Sequence, residues 1–351
     1  MRSGLKQELQ ELIDKLKRLG STEKKKTGFF IGNTVKFDEQ RFYFTPIRTT
    51  EKIVTAGAVV SDEASAIEIA QTVDGHVNYV LVDAEKKIPS NKSDELANVE
   101  GAVRGTIRES VVWAYKGNDI TVAAVDYLII QLTKNEARGI GGKKVVIIGA
   151  GNIGSKLALR LVERGARVFI TRRNTDKLKL IAEALNSIKP LYTESEVISI
   201  ADNEKAASGA DILIGTAAGK PVITKKIIAN ISENAFIIDV GKGTLDNEAV
   251  KIAEERNISV YRLDVTAAIE GLLTALYISE YIAENVMGRR KIGGVSVVSG
   301  GLFAQKNELV VDNVWDPKYI YGIADGVGDF IRKMTNEQKK LIMKFKSDIN
   351  I

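Results

Sequence analysis

Residues 143–173 read KKVVIIGAGNIGSKLALRLVERGARVFITRR. The apolar run Val145 to Ile148 has the length and β-branching of a buried strand. Gly149-Ala150-Gly151-Asn152-Ile153-Gly154 follows at once, and Lys156 to Arg164 recurs with helical spacing. A second apolar run, Ala166 to Ile170, completes a βαβ unit of about thirty residues. Each glycine has a separate task. Gly149 permits the tight turn out of the strand, Gly151 lets a pyrophosphate approach the backbone, and Gly154 lets helix and strand pack closely. Free N–H groups at the helix start then favour negative charge. GxGxxG alone is weak, but its place between strand and helix turns it into an expectation of dinucleotide binding. The alternative is a turn kept for packing only.

The end of the second strand bears on which dinucleotide. A binder of the non-phosphorylated cofactor ordinarily carries Asp or Glu there for the ribose 2′-hydroxyl. Here Thr171-Arg172-Arg173-Asn174-Thr175 has no acid before Asp176. Two guanidinium groups suit a 2′-phosphate, so NADP is expected over NAD. Read structurally, the pair is a solvated basic turn.

Outward from this unit, 351 residues suffice for two domains with their own cores. The net charge of +5 is mild and dispersed, which suits an anionic small ligand. No basic stretch carries interleaved aromatics, so no nucleic-acid partner is expected. No run reaches the ~18 apolar residues of a membrane helix, and the charged amphipathic N-terminus has no apolar signal core. A cytoplasmic protein without membrane contact is the expectation. The chain has no Cys and one His, His76. Thiolate chemistry is excluded and no metal site is expected. Acid–base chemistry falls to Lys, Asp, Glu, Tyr or His76, and His76 reads as an exposed or structural loop residue.

Leu5, Leu9, Leu12, Leu16 and Leu19 form a narrow seam on an amphipathic helix, ended at Gly20-Ser21 and packing on the body or on a second copy of the chain. Phe29 to Phe44 reads as strands around a turn at Gly32-Asn33, Ile53 to Val60 as an apolar stretch, and Asn78 to Val82 as a strand. Asp62 caps a helix reaching Val73. Asp83-Ala84-Glu85-Lys86-Lys87 follows a strand's carboxyl end, where open α/β sheets place ligands. Val103 to Tyr115 reads as extended or mixed, and a helix from Thr121 to Thr133 leads into the glycine loop. Strands are expected at Val197 to Ile200, Ile212 to Ile214, Ala235 to Val240 and Val260 to Leu263, with helices at Asp176 to Leu185 and Asn247 to Arg256. Thr266 to Val286 is a long, mostly apolar helix, expected to pack between domains or in a homodimer interface. Gly293 to Phe303, rich in Gly, Val and Ser, reads as a loop over a site.

Asn118-Asp119, the small-residue helix and GGKKVVIIGAGNIG together are similar to the approach to the cofactor domain in the shikimate dehydrogenases and in the methylene-tetrahydrofolate and methylene-tetrahydromethanopterin dehydrogenases. ADILIGTAAGKPVITKKIIANISENAFIIDVGKG, 210–243, resembles the second half of the pterin-linked group, and TRRNTDK the NADP-selecting turn of the shikimate group. The resemblance spans roughly Gly117 to Leu263. It implies an α/β fold: a Rossmann-type doubly wound parallel sheet over 117–264, and a smaller α/β substrate and dimerisation domain from 21–116 with 265–351. Residues 1–20 form the N-terminal helix, and a cleft lies between the two domains. It also implies metal-free hydride transfer between NADP and a small polar, shikimate-like or pterin-like substrate.

The expected cofactor residues are Gly149, Gly151, Asn152, Ile153, Gly154, Thr171, Arg172, Arg173, Thr216, Ala217, Val240 and Gly241. In the shikimate group a Lys after a first-domain strand pairs with an Asp before the linking helix. Asp119 matches that Asp, and Lys86 or Lys87 matches the Lys by location, although the Asn-Val-Thr-x-Pro surroundings are absent. A Lys beside a carboxylate can protonate or polarise a substrate oxygen. Read structurally, Lys86 and Lys87 are solvated turn residues and Asp119 a helix cap. Arg104, Arg108 and Lys242 are secondary candidates for an acidic substrate. The competing readings are a nucleotide-binding regulatory protein without turnover and an enzyme using bound nicotinamide as a transient oxidant. A glutamyl-tRNA reductase is set aside, because that family needs a Cys nucleophile.

Overall fold

A computed structural model describes residues 3–34, 42–89, 96–217 and 221–349. The chain divides into two compact units, Met1–Gly271 and Leu272–Ile351.

The first unit opens with helix α1, Ser3–Glu23. Strands β1 (Lys26–Asn33), β2 (Phe42–Thr49) and β3 (Ile53–Val60) follow, then α2 (Glu63–Val73) and β4 (Tyr79–Asp83). Helix α3 (Val99–Thr106) leads to β5 (Val111–Tyr115), so the stretch read as extended or mixed is a helix followed by a strand. The sheet order is β2-β3-β1-β4-β5. All neighbours are parallel except β2, which runs antiparallel to β3. As expected, Asp62 caps α2 by accepting from the Ser65 N–H. Leu9, Ile13 and Leu16 of α1 are fully buried in one core with Phe29, Ile31, Val54 and Val80. The leucine seam is therefore spent on the chain's own sheet. The helix runs through Gly20 because close packing needs glycine there, a Cβ falling 2.6 Å from Thr27 Cγ2. Gly32 is likewise no turn. It lies inside β1 opposite Val59, and a Cβ there would sit 3.2 Å from the Tyr115 hydroxyl.

Helix α4 (Gly117–Leu132) connects to the second sheet. That sheet and its helices are β6 (Lys144–Ile148), α5 (Asn152–Glu163), β7 (Arg167–Thr171), α6 (Thr175–Ile188), β8 (Val197–Ser199), α7 (Asn203–Ala207), β9 (Ile212–Gly215), α8 (Lys225–Asn230), β10 (Phe236–Asp239), α9 (Asn247–Glu255) and β11 (Ser259–Arg262). The order β11-β10-β9-β6-β7-β8 with every pair parallel is the doubly wound Rossmann arrangement. Its central strands are fully buried because helices cover both faces. Val145, Ile147 and Ile170 pack with Leu157, Leu161 and the α4 residues Val122, Val125 and Ile129, whereas Val146 and Leu213 join Ile227, Ile228 and Ala253.

The long apolar helix α10 (Thr266–Asn285) runs into the second unit. There β12 (Gly288–Ile292), β13 (Val295–Ser299), β14 (Leu309–Val311) and β15 (Ile320–Ile323) form a four-stranded sheet in that order. The segment read as a loop over a site is a hairpin turn and a strand. Gly293 and Gly294 both hold positive φ, 55° and 81°, as a two-residue hairpin turn requires, and Ile292 pairs with Val295. Helix α11 (Asn336–Asp348) begins with a Thr335/Gln338 capping box and buries Phe345 against Val295, Val297 and Leu309.

Candidate active site at the glycine loop

The glycine loop closes over the end of β6. Gly149 (φ 116°) and Ala150 donate N–H to the Thr171 carbonyl at 3.2 and 2.8 Å. Thr216 Oγ1 donates to the Gly149 carbonyl at 2.6 Å, tying the ends of β6 and β9 together. A Cβ at Gly154 would strike the Gly149 carbonyl oxygen, so helix and loop touch backbone to backbone. Among the described residues nothing lies within 4 Å of the Gly151 Cβ position, and Gly151 faces an open cleft of about 1090 Å³. This is the cradle a dinucleotide pyrophosphate needs: a bare backbone at a helix start, with space above it. The Thr224 hydroxyl, in the same wall, is buried and has no hydrogen-bond partner among the described residues. The residues present therefore fit a dinucleotide.

Gly149, Gly151, Asn152, Ile153, Gly154, Thr171, Arg172, Arg173, Thr216 and Ala217 all line this cleft. Val240 and Gly241 are not in its wall. Gly241 backs it, and a Cβ there would collide with the Ala217 carbonyl oxygen. Arg172 Nη1 reaches back to the Ala150 carbonyl at 2.6 Å, which fixes one guanidinium beside the loop. The side chain of the next residue, Arg173, is exposed at the cleft edge. The acids in the wall, Asp202 and Glu204, come from the end of β8, and Asp202 Oδ1 is already engaged by the Glu204 and Lys205 N–H groups.

The expected Lys/Asp pair is arranged differently from its sequence reading. Lys87 Nζ lies 2.6 Å from Asp83 Oδ2 and 2.9 Å from Glu85 Oε2. Asp119 pairs instead with Lys156 of α5, whose Nζ is also 3.9 Å from Glu85 Oε1. Lys87 and Asp119 are thus joined through Glu85 and Lys156 rather than directly. Backbone N–H groups complete the cluster: Gly117 donates to Asp83 Oδ1 at 3.2 Å and Asn118 to Glu85 Oε2 at 2.9 Å. Asn118 Nδ2 bonds Asn152 Oδ1 at 3.2 Å, so the start of α4 touches the glycine loop. Lys86 is exposed.

The secondary candidates lie elsewhere. Arg104 pairs with Glu100 on α3, Arg108 Nη1 bonds the Ile107 carbonyl, and Lys242 is exposed in a positive-φ turn. That turn is organised by Asp239. Burial alone would raise its carboxyl, but bonds from the Gly243 N–H and from the Thr244 hydroxyl and N–H, with Arg262 nearby, hold it below the usual carboxylate range. His76 is exposed, with Lys17 Nζ 2.9 Å from its Nδ1. Sequence reading placed Asp83 and Glu85 in a segment suited to a ligand and Asn118 beside Asp119 without giving them a role, and it did not single out Lys156. The available signal was positional: Lys156 stands four residues beyond Asn152, on the same helix face.

This fold and cleft define a dinucleotide-binding domain of the dehydrogenase kind. Residues 131–267 match the family model described as shikimate / quinate 5-dehydrogenase, so this part of the chain is a nicotinamide-nucleotide-binding Rossmann domain of that type. The chain is 26% identical to the glutamyl-tRNA reductase of Thermosipho melanesiensis over 117 residues, 33% of this chain and 30% of that protein. It is 29% identical to the glutamyl-tRNA reductase of Campylobacter jejuni (strain RM1221) over 148 residues, 42% of this chain and 31% of that protein. The chain thus spans under a third of the length of these relatives. Among solved structures it is similar to a dipicolinate synthase from Bacillus halodurans, at 17% identity and a TM-score of 0.37, covering 72% of this chain and 97% of that one. Among the described residues no helix is long and apolar enough to cross a membrane.

Proposed function

We propose that the protein is an NADP-dependent oxidoreductase that moves a hydride to or from a carbonyl or hydroxyl carbon of a small substrate. The observation that carries this reading is the end of β7, where Arg172 and Arg173 line the cleft and no carboxylate stands between Thr171 and Thr175. A 2′-phosphate placed there meets two guanidinium groups, whereas a bare ribose diol finds no acid from this strand. NADP, when bound, supplies the hydride donor or acceptor.

The chain's own residues then handle orientation and the proton. Gly151 and the first N–H groups of α5 hold the pyrophosphate. Lys87, kept between Asp83 and Glu85 with its ammonium 3.0 Å from the Cβ position of Gly117, is the proton donor for a reducible oxygen. Asp119 acts through Lys156 and Glu85 to position it, so the expected pair works as a relay of four residues. The exposed apolar side chains Ile278, Tyr281 and Ile282 of α10 suit a homodimer; a monomer mass by light scattering at micromolar protein refutes that part alone.

The test is titration with NADPH and NADH, followed by fluorescence transfer, in the wild type and in Arg172→Ala/Arg173→Ala. Loss of two charge-assisted hydrogen-bond donors, each worth about 1.5–3 kcal/mol, lowers NADPH affinity at least tenfold and leaves NADH affinity nearly unchanged. Equal affinities for the two nucleotides in the wild type overturn the NADP assignment. No binding of either overturns the oxidoreductase.

A further inference from the structure

A second cavity, of about 170 Å³, opens beside the cluster at the carboxyl ends of β1, β3 and β5. Its walls are largely apolar: Phe30, Ala58, Val59, Ile120 and Ile269 contribute hydrocarbon. The polar residues of the wall are few, chiefly Arg48, Thr45, Thr121 and Tyr115, whose hydroxyl lies 3.2 Å from the Cβ position of Gly32 in the same wall. Gly117 is also in the wall, and the next residue, Asn118, lines the nucleotide cleft. Consecutive residues of the chain thus line the two spaces. The Lys87 ammonium lies 3.0 Å from the Cβ position of Gly117, on the same partition.

Arg48 stands out because it is half-buried and, among the described residues, in no direct ion pair. Among the described residues no carboxylate lies within ion-pair distance, and its one side-chain hydrogen bond is a long one, 3.4 Å, to the Pro46 carbonyl. Asp264 feels its charge, but Asp264 Oδ1 is engaged by the Thr266 N–H and hydroxyl. A guanidinium in an apolar pocket costs desolvation unless an anion meets it. Tyr115 is a second donor. Desolvation, then the Asp83 and Glu85 charges, push its phenol well above the usual tyrosine range, so it stays protonated. The cavity holds roughly six waters at ~30 Å³ each, the space of a small organic molecule.

We propose that this cavity is the substrate subsite and that it takes a small monocarboxylate with an apolar body, its carboxylate on Arg48 and Tyr115 and its hydrocarbon against Phe30, Val59 and Ile269. The inference rests on the oxidoreductase reading for its consequence: Gly117 belongs both to the cavity wall and to the cluster around Lys87, so an acid held there lies beside the proton donor. It departs from a polyhydroxylated substrate, because a polyol body would leave its hydroxyls facing hydrocarbon.

The experiment is calorimetric titration of the full chain saturated with NADPH. The probes are 4-methylpentanoate and benzoate, with 4-methylpentanamide, quinate and inorganic phosphate alongside. At least one of the two carboxylates binds, and the amide and quinate bind at least tenfold more weakly. Arg48→Gln lowers carboxylate affinity at least tenfold, and the shape-preserving Tyr115→Phe lowers it about fivefold. Both variants keep wild-type NADPH affinity by fluorescence transfer. Absence of carboxylate binding, equal binding of quinate, or unchanged affinity in both variants overturns the subsite. Phosphate binding that competes with the carboxylate and exceeds it makes the pocket a phosphate site and overturns the carboxylate assignment. If NADPH fails to bind the wild type while the carboxylate still binds through Arg48, the oxidoreductase reading falls and the anion pocket stands.

Discussion

Lys156, one turn into the glycine-loop helix, hydrogen-bonds the carboxylate of Asp119 at the start of α4. The two segments belong to different parts of the α/β architecture, and this pair pins one to the other. Both side chains remain substantially exposed, at 38% and 46%, so solvent screens them. A double-mutant cycle with Lys156→Met and Asp119→Asn, read by urea unfolding, yields a coupling of about 0.5 kcal/mol. A coupling above about 2 kcal/mol would show that the pair carries the fold and does not merely set the geometry of the cleft.

Asp83 is the opposite case. Its carboxylate is buried and holds Lys87, the Glu85 N–H and the Gly117 N–H at once. Asp83→Asn leaves the Lys87 charge with Glu85 alone and weakens the start of α4. Breaking a buried pair from one side costs about 3 kcal/mol. Chemical denaturation that finds less than about 1 kcal/mol contradicts this account.

Two glycine substitutions separate packing from binding. Gly154→Ala forces a methyl group into the Gly149 carbonyl oxygen and lowers stability by about 1–3 kcal/mol. Gly151→Ala meets no atom of the described residues within 4 Å, and its φ of −95° suits alanine. Its melting temperature stays at the wild-type value, while NADPH affinity falls by tenfold or more because the added methyl occupies the pyrophosphate's approach. An unchanged NADPH affinity in Gly151→Ala places the nucleotide elsewhere.

Asp239 sets an acid limit on the loop that backs the cleft. Its folded pKa lies below the unfolded value of about 3.9. The stability it contributes is therefore fully present above about pH 4 and is lost as pH falls through the folded value. Asp239→Asn is destabilised at pH 7 by about 1–3 kcal/mol, since buried N–H donors lose a charged acceptor. The gap between wild type and variant narrows below pH 4. Thermal melts at pH 7 and pH 3 check this, and a constant gap refutes it.

The β6–α5–β7 unit was legible because its information is local: three glycines and two apolar periods lie within one short stretch. The ion cluster was not legible, because Asp83, Glu85, Lys87, Asp119 and Lys156 come from three segments that only the topology brings together. Lys87 and Asp119 could be singled out one by one, but their true partners could not. The four-stranded sheet of the second unit was hidden for a local reason. The glycine and serine content around β13 reads as loop, and the period of two is short, carried by Val295 and Val297 and by Leu309 and Val311. Gly20 and Gly32 misled in the same manner, as each marks a close approach by a side chain rather than a chain reversal.

Strand β1 lies at the centre of the first sheet, yet both its neighbours come later in the chain. Its β3 edge is paired through Val60 and its β4 edge through Val82. A growing polypeptide thus emerges with its central strand bare on both sides, and the second side closes only after Val82 has been made. Until then α1 has no finished surface to cover, and the apolar strand Lys26–Asn33 presents open hydrogen-bonding edges to its surroundings. Strand order thus opens an interval during synthesis in which these edges can meet another chain.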